Sequence, residues 1–212
     1  MTPFLGDPAS FSFVFTNTSG VDTGFSPFFD LILETSGPDG TTNSPPTRLN
    51  PTTPANAADG FAASTGGVVA PTVTVSGLTL IPIGTPIVLG AGQTTYVNPF
   101  TGQTLGVPAA FRAGDTVYTY QLPFGSFTPG QNTLVSVTAP TSNLADLNNP
   151  LDLTVRPGFR DTDGDPNAPL VPAVYTDASA NATPKLYDFI LRFARVLGVY
   201  RELCLWVVCR DD

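Results

Sequence analysis

Phe11-Ser12-Phe13-Val14-Phe15-Thr16 is the stretch on which the fold turns, and Phe28-Phe29-Asp30-Leu31-Ile32-Leu33 extends its reading. In the first, Phe11, Phe13 and Phe15 alternate with Ser12, Val14 and Thr16. Successive side chains of a strand point to opposite faces, so a strand here sets its aromatic rings along one face. The second stretch is almost continuously apolar, which reads as a largely buried strand.

Working outward, Val73 to Ile83 carries one or two strands broken at Gly77, and Thr94 to Val97, Thr116 to Leu122, Leu134 to Thr138 and Leu151 to Val155 follow. Between them lie Ser36-Gly37-Pro38-Asp39-Gly40, Asn98-Pro99, Thr128-Pro129-Gly130-Gln131 and Asn148-Asn149-Pro150, all of turn composition. Short strands joined by turns predict an all-β chain, an antiparallel two-sheet sandwich of immunoglobulin-like, Greek-key type. The expected core draws on Phe11, Phe13, Phe15, Leu31, Leu33, Val117 and Leu122. Residues 37–67, rich in Pro, Thr, Asn, Ala and Gly, read as a long surface loop, a tolerated insertion or a binding loop, with Phe61 as its aromatic anchor.

Composition agrees. The 212 residues include 22 Pro and 20 Gly, which disfavours long helices. Only 12% are charged, about half the roughly 25% of ordinary soluble domains. A net charge of −8 with nine dispersed cations argues against nucleic acid as a partner. No apolar run is long enough for a membrane-spanning helix. Few Cys and Lys and many Thr, Asn and Asp suit an extracellular bacterial protein. Met1 to Asp7 lacks the regions of a signal peptide, so that compartment implies a removed leader or an excised segment.

The composition breaks near residue 184. Residues 1–184 hold every Pro and carry four Arg against 13 acidic residues. Residues 185–212 hold Lys185, both cysteines (Cys204 and Cys209) and Trp206, with five cations against four acids. The expected organisation is a sandwich over 1–160, an acidic Pro-rich linker or last strand over 161–184, and a distinct tail over 185–212. That tail reads as a short helix ending near Gly198 or as non-native sequence.

Two stretches resemble an N-terminal module of very large bacterial surface proteins with conserved repeat domains, a family described as isopeptide-forming or adhesin-like. One is Phe11 to Thr18 followed by Gly24-Phe25-Ser26-Pro27-Phe28 to Leu33. The other is Gln121-Leu122-Pro123-Phe124-Gly125-Ser126-Phe127-Thr128-Pro129, running on to Ser142 to Leu147 and Pro157-Gly158-Phe159. The resemblance brackets residues 10–160 and fails after Thr183-Pro184. It implies a structural or adhesive module at the bacterial cell surface, without catalysis, whose partners are neighbouring modules of the same protein or another cell-surface ligand. The competing class is a carbohydrate-binding or carbohydrate-active sandwich, for which Tyr118 and Tyr120 on one strand face read either as a sugar platform or, the favoured reading, as a core or inter-sheet stripe.

The absence of His removes Ser-His-Asp and Cys-His sites and His-ligated zinc. No nucleophile elbow, phosphate loop or dinucleotide fingerprint occurs, and the chain is read as no enzyme. Lys185 is the only Lys, so isopeptide chemistry within 1–184 is unsupported. The one constellation with chemistry is Asp161-Thr162-Asp163-Gly164-Asp165-Pro166. Asp161, Asp163 and Asp165 at alternate positions are candidate calcium ligands, though Pro166 replaces the turn Gly and Pro172 the twelfth-position Glu of a helix-loop-helix calcium site. Its bland alternative is a solvated acidic turn. The sequons Asn17-Thr18-Ser19 and Asn181-Ala182-Thr183 read as strand and turn residues in a bacterium.

Overall fold

The computed structural model describes residues 7–35, 60–61, 70–109, 111, 113–141, 151–162 and 178–182. The strands are, in chain order, β1 (Pro8–Thr16), β2 (Gly24–Leu33), β3 (Thr72–Val75), β4 (Leu78–Leu80), β5 (Ile87–Val88), β6 (Thr95–Val97), β7 (Thr104–Gly106), β8 (Thr116–Gln121), β9 (Ser126–Phe127), β10 (Asn132–Pro140), β11 (Leu151–Thr162) and β12 (Ala178–Ala182). Every described pairing is antiparallel, and no helix occurs among the described residues.

One sheet runs β1-β10-β3-β4; a second runs β12-β11-β2-β8-β5, with β9 beside β2; β6 and β7 form a separate hairpin. The first two sheets share one core. Phe15, Val73, Val75, Val135 and Val137 from one face Phe29, Leu31, Leu33, Tyr118, Leu153 and Val155 from the other. Aromatic rings carry much of that contact: Phe13 meets Phe29 edge to face at 5.2 Å, and Phe15 meets Phe127 at 5.3 Å and Phe159 at 5.4 Å. Each fully buried ring of this kind contributes roughly 1.5–3 kcal/mol from area alone.

Strand β2 is covered on both faces. Phe29, Leu31 and Leu33 enter the shared core. Ile32 enters a second cluster on the opposite side, with Leu89, Tyr96, Phe111 and Val117, supported by Ile87, Leu105 and Val107. The segment between β4 and β8, including the β6–β7 hairpin, therefore forms a partial third layer over the outside of the larger sheet. This double burial explains the nearly unbroken apolar run from Phe28 to Leu33.

The expected core residues divide accordingly. Phe15, Leu31, Leu33 and Leu122 lie in the shared core, Phe11 and Phe13 are partly buried against it, and Val117 lies in the outer cluster. Phe61 is fully buried, bridged to Thr141 and stacked edge-on against Phe11 at 5.8 Å. It is a core residue, not the exposed anchor of a binding loop; residues 37–59 and 62–67 of that loop lie outside the described residues. The stretch 161–184 holds the end of β11 and all of β12, and the tail 185–212 lies outside the described residues.

Candidate functional site

Asp30 sits in the middle of β2 on the outer face, fully buried, where its neighbours on that face are Phe28 and Ile32. A carboxylate taken out of water must find donors, and this one finds three. Tyr96 Oη donates to Oδ2 at 2.7 Å, while Asn98 Nδ2 at 2.7 Å and Thr119 Oγ1 at 2.6 Å donate to Oδ1. Thr119 is its cross-strand neighbour on β8, and Arg156 its neighbour on β11. Arg156 also donates to the carbonyl of Gly106 at the end of β7. Burial pushes the Asp30 carboxyl above its ordinary pKa of 3.8, against the pull of Thr119, Tyr96, Asn98 and Arg156. The Tyr96 hydroxyl is likewise raised, by burial and by the adjacent Asp30 charge.

Asn98 has two tasks. Its Oδ1 accepts from the backbone N–H of Phe100 at 2.8 Å and of Thr101 at 2.9 Å, closing the turn between β6 and β7. Its amide reaches the other way, to Asp30. The residue that shapes the hairpin thus also fastens it to the sheet. Chemically the cluster is a clasp: Asp30 and Asn98 are fully buried and Tyr96 and Thr119 nearly so.

The rim of this layer is open. Phe100 follows the clasp turn, meets Phe28 edge to face at 5.5 Å, and carries the guanidinium of exposed Arg160 over its ring at 5.3 Å. Among the described residues Arg160 pairs with no carboxylate. Gln121, opposite Phe28 on β8, is exposed on the same face. Arg160, Phe100 and Gln121 form a ledge where covered sheet gives way to solvent.

The residues expected to act from sequence fall elsewhere. Tyr118 and Tyr120 do share a face, but it is the inner one: both are fully buried, 6.5 Å apart between ring centres, and Tyr120 stacks on Phe29 at 5.3 Å. They offer no sugar platform. The face inward is set by the apolar partners across the sandwich, which period-two alternation alone does not identify. Asp161 is exposed and opposite Phe25 near the end of β11. Asp163 and Asp165 lie outside the described residues, and among the described residues no group of three His, Cys, Asp or Glu gathers to hold a metal. Asn17 is buried, its amide donating to the carbonyls of Asp22 at 2.9 Å and Phe127 at 2.8 Å, so it serves as a turn fastener. Among the described residues no helix is long and apolar enough to cross a membrane. Neither the clasp nor the ledge was expected from sequence. Asp30 inside an apolar run was the signal available for the first, and nothing marked the second.

No family model and no curated protein matches the chain. A solved structure described as "AvmM Catalyzes Macrocyclization in Alchivemycin A Biosynthesis" is similar over 87% of this chain and 84% of that one, with 13% identity and a TM-score of 0.42. That structure is described by a catalysed reaction and not as a surface unit, so it lends the expected structural or adhesive module no support. At that TM-score the likeness assigns no activity to this chain.

Proposed function

We propose that this chain is a ligand-binding β-sandwich that takes a carboxylate-bearing ligand, of the acidic saccharide class, at the ledge of Arg160, Phe100 and Gln121. The observation that carries the reading is Arg160: an exposed guanidinium held over an aromatic ring, unpaired with any described carboxylate. The ring limits the rotamers of a long side chain, so less entropy is lost when its planar fork closes on a carboxylate. Such a contact is bidentate and charge-assisted. Gln121 adds an amide able to donate to and accept from hydroxyl groups. We also infer that the sandwich is of the immunoglobulin-like, Greek-key type. Its support is that strands remote in sequence, β1 with β10 and β2 with β8 and β11, lie side by side.

Isothermal titration with an acidic oligosaccharide such as oligogalacturonate, against a neutral oligosaccharide of equal length, tests the binding. The acidic oligomer is expected to bind and the neutral one not. Arg160→Ala is expected to weaken binding about 10- to 100-fold, the loss of a charge-assisted hydrogen-bonded contact. Arg160→Lys should recover part of it. Equal binding of both oligomers, or affinity unchanged in Arg160→Ala, would overturn the assignment.

A further inference from the structure

We propose that the free edge of β1 is a dimerisation surface, at which β1 of a second copy of this chain pairs antiparallel about Ser12. This is independent of the ledge. In an antiparallel ladder the N–H and C=O of one residue point to the same side, and successive residues alternate sides. Thr141 donates its N–H to the Asp7 carbonyl at 3.2 Å and Asn17 donates its own to Gln131 at 3.0 Å, so the odd-numbered residues of this strand bond to β10. The backbones of Pro8, Ser10, Ser12, Val14 and Thr16 therefore point away from it. No described residue pairs with them. Pro8 occupies one of these outward positions, where its missing N–H leaves no bond to β10 unmade.

This edge differs from the others. Among the described residues the other edge strands of the two larger sheets, β4, β5, β9 and β12, have three, two, two and five residues and β6 and β7 have three each, whereas β1 has nine. Pro8 to Thr16 contains no charged side chain, so the charged guard against edge pairing is missing and Pro8 breaks the edge only at its first position. The strand is also complementary to itself. A two-fold axis at Ser12 sets Ser12 opposite Ser12 of the second copy, Ser10 opposite Val14, and Pro8 opposite Thr16. Every outward N–H then meets an outward carbonyl. On the inner face the same axis sets Phe11 against Phe13 of the second copy, in the pair type with Cα atoms about 4.5 Å apart. These two rings are only half-buried in the single chain, although Phe15 on the same face is 1% exposed. A second copy completes their burial, and the outer face presents only Pro8, Ser10, Ser12, Val14 and Thr16 along this strand, none bulky enough to obstruct it.

Sedimentation equilibrium of the full chain at micromolar concentration should give a dimer. Ser12→Pro removes an N–H that faces only the free edge, so a folded monomer is expected with an unchanged far-ultraviolet spectrum. Independently, Ser12→Cys in a Cys204→Ser, Cys209→Ser background should cross-link on oxidation, since hydrogen-bonded antiparallel partners lie about 5.5 Å apart at Cα, within disulfide reach. A monomeric wild-type chain overturns the proposal. So does a dimer in which the Ser12→Cys variant fails to cross-link, or one that persists in a folded Ser12→Pro variant. If Ser12→Pro does not fold, the cross-link decides alone.

Discussion

At Asp30 the central strand carries a carboxyl group where its neighbours on the same face carry Phe28 and Ile32, and burial raises its pKa. The folded state therefore binds this proton more tightly than the unfolded state does. The stabilisation from the protonated group is complete below the unfolded value, near 3.8, and is lost as pH rises through the higher folded value. Urea unfolding measured from pH 3.5 to 7 should show that decline, and Asp30→Asn should flatten it while keeping an acceptor for Asn98 and Thr119. An identical slope in the variant would remove Asp30 as its source. Tyr118 is the opposite case. Its hydroxyl is buried with no partner among the described residues, and burial pushes its pKa up to about 12. Tyr118→Phe deletes an unsatisfied polar atom, so stability should hold or rise by about 1 kcal/mol. A loss above that would reveal a bond to that hydroxyl.

Elements show where local sequence suffices and where it does not. The β3–β4 hairpin turns through Ser76 and Gly77, with φ of 50° and 81°, the pair of positive values that a tight two-residue hairpin needs. The break at Gly77 was accordingly legible. So were β1, β2, β8 and β10, because each alternates or runs apolar over enough residues to mark its period. The third layer was legible only in part: Thr94 to Val97 foreshadows β6, but β7 has three residues, and how this hairpin packs over the sheet is set by distant partners. The clasp was hidden for the same reason: Tyr96, Asn98 and Thr119 stand 66, 68 and 89 residues from Asp30. At the start of β2, a Cβ on Gly24 would lie 2.3 Å from the Phe159 ring, which also packs on Phe15 and Phe127. Gly24→Ala should therefore cost about 1–3 kcal/mol in thermal or urea unfolding by displacing that ring. Unchanged stability would mean the ring has room to swing aside.

For the whole molecule, the order of synthesis matters. Strand β1 is made first among the described strands, yet its only described partner is β10, with Thr16 opposite Asn132. At about 5–20 residues per second, the ribosome takes roughly 6–25 s to produce the intervening chain. Through that interval the row of Phe11, Phe13 and Phe15 lacks its ladder partner, and for most of it Phe15 lacks the Phe127 and Phe159 rings that pack on it. Contacts of such long sequence separation also slow folding in the test tube. The nascent chain therefore presents an aromatic, uncharged strand with both edges unpaired during translation, the kind of segment that holdase chaperones bind and that a neighbouring chain on the same messenger can capture.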